Sequence, residues 1–164
     1  MAEKDREETQ KEIEAFLRFH SENYFTCAIA TCGGDNIPRN TPVDYRPDGL
    51  HLWFVCDRGG KIKNIEVNPR VCMAIFVPVG KGNLSNARGL QMWGEARIIR
   101  RVAAREDFNH GLKIFGLEDF HRKQFGEDIS EEQLNAITFI NVIPDKISFL
   151  DATKGLNYRL VWTR

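Results

Sequence analysis

The chain has 164 residues, 42% of them apolar, enough for one core and too few for two comfortable domains. Lysine plus arginine number 23 and aspartate plus glutamate also 23, so no global field draws the protein to nucleic acid or a membrane surface. The opening "MAEKDREETQKEIEAF" has no apolar h-region and no run reaches membrane-span length, so the expectation is a soluble, cytoplasmic protein of one domain, residues 1–164.

Residues 5–20 read as a helix, with Ile13, Phe16, Leu17 and His20 at helical spacing. "YFTCAIAT" (24–31) is rich in β-formers and runs into the turn signal Cys-Gly-Gly-Asp-Asn. "IPRNTPVDY" (37–45) is extended, and its two prolines suit an edge or a bulge rather than a central strand. "RPDG" reads as a turn, and "LHLWFVC" (50–56) as a strand apolar on both faces. "VCMAIFVPV" (71–79) is another strand of that kind, which needs cover on both sides from a barrel interior and a helix or partner subunit.

"GKGNLSNARG" (80–89) is a long glycine- and asparagine-rich loop. "LQMWGEARII" (90–99) alternates as a strand, with Gly94 marking a bulge or close approach. From Arg100 to Ala136 the pattern is helical: Val102, Phe108 and Leu112 fall near one face, and "SEEQ" (130–133) has capping-box spacing. Strand character returns in "ITFINVIPDKISFLD" (137–151), with a bend at Pro144-Asp145, and in "NYRLVW" (157–162).

The four cysteines form no Cys-x-x-Cys pair and read as reduced thiols, three of them within apolar runs. The four histidines lack metal-ligand spacing, and no nucleophile elbow is present, so metal and nucleophilic catalysis are both disfavoured. "CDRGGKIKNIEVNPR" (56–70) raises a sharper question. A helix start carries partial positive charge, yet this one opens with Arg58, two glycines and Lys61. An anion there would satisfy it, since glycines let backbone N–H groups approach a ligand and lysine adds a point charge. The run matches neither the P-loop nor the dinucleotide fingerprint. From spacing alone, a solvated turn with surface lysines is the more economical reading. Arg39, on a proline-flanked strand, becomes a phosphate clamp only if it converges with Lys61. Trp53, Trp93 and Trp162 are by default core or interface residues.

Taken in order, "FTCAIATCGGDNIPRNTPVDY", "LHLWFVCDRGGKIKNIEVNPRVCMAIF" and "LQMWGEARII" resemble the FMN-binding split-barrel superfamily, also called pyridoxamine 5′-phosphate oxidase-like. The likeness covers roughly residues 24–99, and the Lys-x-x-x-Ile-x-x-Asn-Pro-Arg-Val run is its most specific part. It implies a mainly β fold with helical attachments: a six- to seven-stranded antiparallel split β-barrel, homodimeric, with FMN in a groove between subunits. By matched position Arg39 and Lys61 would bind the phosphate, beside the open backbone of Gly60, with Arg58 or Lys63 sharing it. Asn40, Thr41, Pro42 and Val43 would line the isoalloxazine, as would the strand end Val55-Cys56. Gln91 and Trp93 would approach from the second subunit, and Trp162 would stand near the ring.

The implied activity is oxidoreduction through the flavin with a small-molecule electron donor or acceptor, and no acid–base residue is named. A flavin- or haem-binding module without catalysis, or a deazaflavin F420 reductase, are the alternatives on the same barrel. Two departures stand out. Gly59-Gly60-Lys61 replaces the family's usual Ser-Arg-Lys, and "NYRLVWTR" lacks the Arg-x-His of true pyridoxamine-phosphate oxidases, so that substrate is not expected.

Overall fold

The computed structural model describes residues 3–56 and 59–164. Helix α1 (Glu3–Asn23) buries the predicted stripe, Ile13, Phe16, Leu17 and His20, against the barrel. The barrel strands are β1 (Thr26–Cys32), β2 (Pro38–Asp44), β3 (Arg46–Asp48), β4 (His51–Cys56), β5 (Arg70–Phe76), β6 (Arg88–Arg100), β7 (Thr138–Asp151) and β8 (Arg159–Thr163). Helix α2 (Gly60–Val67) joins β4 to β5, and α3 (Arg105–Phe115), α4 (Leu117–Phe125) and α5 (Glu131–Ala136) lie between β6 and β7. No helix among the described residues is long and apolar enough to cross a membrane.

The ladder order is β2-β1-β5-β6-β7-β4-β3, all antiparallel where paired, with β8 on the second half of β7. Its two ends are the same stretch of chain: one residue, Tyr45, separates β2 from β3. The sheet therefore curls round on itself, while among the described residues no ladder joins β2 to β4. The barrel is split at that seam. Eight strands form rather than six or seven, because "RPDG" is a short strand paired with β4 and not only a turn. The capping box of α5 is present, with Ser130 and Gln133 bonding reciprocally.

Gly94 sits where the β6–β7 register shifts, between Trp93 and Gly94. A Cβ there would lie 2.2 Å from the Ile143 carbonyl oxygen, so only glycine allows the strands this close. One expectation fails: Val102 is 94% exposed, in the turn before α3, whereas Phe108 and Leu112 are buried. They form a second small core with Trp53, Ile99 and Phe139 outside the barrel wall.

β5 has the two faces its sequence suggests. Val71, Met73 and Ile75 point into the barrel, whereas Cys72, Ala74 and Phe76 face outward, Cys72 half-buried and the other two exposed. The same outward face carries Ala28 and Ala30 of β1 and Gln91 and Trp93 of β6. It is the open side of the sheet.

Three contacts tie α1 to the barrel corner. His20 Nδ1 lies 3.0 Å from the Tyr45 hydroxyl, Nε2 lies 3.0 Å from the Phe76 carbonyl oxygen, and the Tyr45 hydroxyl reaches the Leu17 carbonyl at 3.3 Å. Burial pushes the His20 pKa down, with the Phe76 bond opposing. The unfolded chain thus takes up a proton below about pH 6.5 that the folded chain still refuses. Stability is full above that pH and falls as pH drops toward the depressed folded value. Urea unfolding at pH 8 and about pH 5.5 checks this, and His20→Gln is expected to cost about 1–3 kcal/mol at pH 8 and to flatten the slope.

Candidate functional site

The start of α2 is built from the barrel outward. Ile62 and Ile65 pack into the core, and Asn64 Nδ2 donates to Thr31 Oγ1 of β1 at 3.1 Å. Gly33 gives way to this contact: a Cβ on it would stand 2.6 Å from Asn64 Oδ1. At its far end α2 stops at Asn68, whose N–H bonds the Asn64 carbonyl at 2.7 Å, and Asn68 Oδ1 accepts from the Arg70 N–H at 3.1 Å. The Pro69 carbonyl accepts from Ala96 of β6 at 2.8 Å. The middle of the helix and the chain just past its far end are therefore fixed to the sheet.

Its first turn holds no acidic residue, and Gly59, in extended conformation, offers no side-chain cap. Among the described residues no side chain caps the first backbone N–H groups of α2, the kind of donors that suit an anion. Arg39 stands directly opposite Thr31 in the β1–β2 ladder and so projects on the side where α2 docks. Its guanidinium lies across the helix start: a Cβ built on Gly60 would be 3.5 Å from Arg39 Nη1 and 3.7 Å from Cζ. Lys61 is the next residue. Among the described residues neither Arg39 nor Lys61 has a carboxylate partner. The Arg39 guanidinium and the helix start that carries Lys61 thus come together, which the sequence left open.

The other candidate residues fall into three places. Thr41 and Val43 share the inward side of β2 with Arg39, whereas Asn40 and Pro42 alternate outward. On β4, Cys56 is buried in the core and Val55 is exposed. Gln91 and Trp93 stand on the open face, three strand spacings or about 14 Å from β2. Gln91 Nε2 reaches Cys72 Sγ at 3.4 Å, and Lys146 Nζ sits 5.4 Å from the centre of the Trp93 ring. Trp162 is a core residue under α1, with Arg6 over its ring at 5.5 Å; the cavity it lines, about 370 Å³, contains none of the other candidates. Arg58 lies outside the described residues.

Sequence reasoning missed Thr31 and Asn64, which fix the helix. The only available signal was a polar residue beside two buried isoleucines on a short helix. Cys27, below β2, is not a reactive thiol: burial, with a smaller contribution from Asp44, pushes its pKa up to about 12.

Comparison with known proteins settles the kinship. The model of the pyridoxamine 5′-phosphate oxidase family matches residues 9–150. The chain belongs to that family. Family membership accounts for the strand order and for α2 between β4 and β5. Solved structures with the same fold include a haem-binding protein from Mycobacterium smegmatis, 14% identical, with a TM-score of 0.62 over 94% of this chain and 57% of that one. General Stress Protein 26 from Bacillus anthracis is 18% identical, with a TM-score of 0.59 over 85% and 95% of the two chains. A FAD-binding protein from Mesorhizobium loti is 16% identical, with a TM-score of 0.59 over 82% and 91%. At these identities the likeness is one of fold. No curated protein matches the chain.

Proposed function

We propose that this family member binds FMN non-covalently, with the phosphate at the start of α2 and the ring along β2 and the end of β4. The observation that carries the reading is the Arg39 guanidinium packed on Gly60 beside Lys61, with no acidic partner for either cation among the described residues. A phosphate dianion supplies the missing negative charge, and the donors present fit it: a planar fork, an ammonium and open backbone N–H groups. When bound, a flavin supplies hydride or single-electron transfer. The chain's part is to bind and orient. Arg39 and Lys61 hold the phosphate, the Asn64–Thr31 bond keeps α2 in place, and the inward side chains of Thr41 and Val43 line the approach.

The protein functions as a homodimer in this reading. The open sheet face, with Phe76 61% and Val161 46% exposed, is covered by a second copy. Gln91 and Trp93, too far from β2 to serve their own chain's site, serve the partner's. The activity is oxidoreduction between the flavin and a small-molecule electron donor or acceptor. Haem is the second reading, favoured by the likeness to the mycobacterial haem-binding protein.

Absorbance of the purified protein tests the choice. Flavin bands, FMN release on denaturation and bleaching by NAD(P)H are expected. A Soret band, or a colourless protein that takes up no FMN, overturns the flavin reading. Sedimentation is expected to report a dimer, and a monomer that holds FMN overturns the interface site.

A further inference from the structure

A large cavity lies at the opposite end of β4 from α2. It has a volume of about 660 Å³ and opens between α1, the β3–β4 corner and α3. Gly49, on its wall, precedes β4, and α2 follows β4 after Cys56, so the two ends are separated by the strand, roughly 17 Å. The cavity is therefore separate, within this chain, from the proposed phosphate site.

Its lining has two signs of charge. Arg18 and Arg46 bring guanidinium groups, and Glu14 and Glu22 bring carboxylates. Glu14, Arg18 and Glu22 repeat at a four-residue spacing and so share one side of α1. Among the described residues Arg18 and Glu22 have no ion-pair partner, and Glu14 accepts a bond only from Gln10, at 2.8 Å. Charges that close together are ordinarily spent on one another. Here they face a shared space.

Arg46 is held in place before any ligand arrives. Its guanidinium lies 6.0 Å from the Phe25 ring centre and 5.8 Å from that of Phe115, and Nη1 donates to the Tyr45 carbonyl at 3.0 Å. The remaining N–H groups of the fork have no hydrogen-bond partner among the described residues. Phe25 itself is unusual, a bulky residue at φ 43° that is 46% exposed, at the turn where α1 passes into β1. Its backbone is locked by a bond from its N–H to the His20 carbonyl and from the Tyr45 N–H to its own carbonyl, both 3.0 Å. With Ile114 it gives the cavity an apolar wall.

We propose that this cavity binds a small zwitterion of the α-amino-acid class, with its carboxylate on Arg18 and Arg46, its ammonium on Glu22 and Glu14, and an apolar side chain against Phe25 and Ile114. A simple anion would leave the two glutamates facing it, and a simple cation would leave the two arginines. Only a ligand carrying both charges on one small frame answers the whole lining.

Saturation-transfer NMR and calorimetry on the full chain, with its flavin if it carries one, test this with L-phenylalanine as probe. Its two half-ligands, 3-phenylpropionate and phenethylamine, are the comparison. The expected result is phenylalanine binding at least about tenfold tighter than either half-ligand. Arg18→Ala, at an exposed position without a partner, is expected to weaken phenylalanine about tenfold while leaving phenethylamine unchanged; Glu22→Ala does the reverse with 3-phenylpropionate unchanged. Flavin content, read from the visible spectrum, stays the same in both variants. The proposal is overturned if phenylalanine gives no signal at about 10 mM, or if a half-ligand binds as tightly as the zwitterion. It is equally overturned if Arg18→Ala and Glu22→Ala both leave phenylalanine binding unchanged.

Discussion

The double variant Arg39→Ala/Lys61→Ala is expected to lose about a hundred- to ten-thousand-fold in affinity for FMN. Each of the two charge-assisted hydrogen bonds to a phosphate contributes about 1.5–3 kcal/mol, and about 1.4 kcal/mol is a factor of ten. Fluorescence titration with FMN reads the change, since a bound isoalloxazine is quenched or released. The fold is expected to survive. Arg39 is exposed, Lys61 half-exposed, and neither has an ion pair among the described residues, so the unfolding free energy moves by less than about 0.5 kcal/mol. Riboflavin, which lacks the phosphate, is the control: its weaker affinity should be almost the same for both proteins. Unchanged FMN affinity in the double variant overturns the phosphate assignment, whatever the spectrum of the native protein.

The largest loss of stability is expected from Gly94→Ala. The added methyl would stand 2.2 Å from the Ile143 carbonyl oxygen and 3.0 Å from Pro144 Cα. Both are backbone atoms of β7, held by ladder bonds on either side of the register shift, and cannot rotate aside as a side chain would. Relief requires β6 and β7 to separate, and these two strands carry the barrel's longest ladder. The cost is about 3 kcal/mol or more, lowering the unfolding midpoint by about 10 °C for a chain of this size. Gly59→Ala is the matched control, because its φ of 179° is open to any residue and nothing lies within 4 Å of the built Cβ. Equal melting temperatures for the two variants would contradict the close approach of β6 and β7.

Gly94 was legible in the sequence because a glycine inside an alternating strand has few other uses. The α1 stripe, the capping box of α5 and the Asn-Pro end of α2 were legible for the same reason: each is written in residues a few positions apart. The convergence of Arg39 with Lys61 was not. It depends on Arg39 standing across from Thr31 and on Asn64 docking α2 at that threonine, two relations between distant segments that spacing does not encode. The cover of β5's outward face was left between a helix and a partner subunit for a related reason. Cys72, Ala74 and Phe76 are apolar enough to suggest cover, but composition does not say whether the cover belongs to the same chain. Val102 was assigned to a helical face from its distance to Phe108, although the helix begins only at Arg105.

The seam at Tyr45 bears on how the protein behaves in crowded solution. Because β2 and β3 are the two ends of the ladder path, each presents one edge with no partner strand, and such edges are templates for pairing with other chains. Both are interrupted by proline: Pro38 and Pro42 in β2, Pro47 in β3. Each removes a donor from the row that an incoming strand would need. The prolines that marked "IPRNTPVDY" as an edge and "RPDG" as a turn therefore guard both rims of the sheet against runaway assembly.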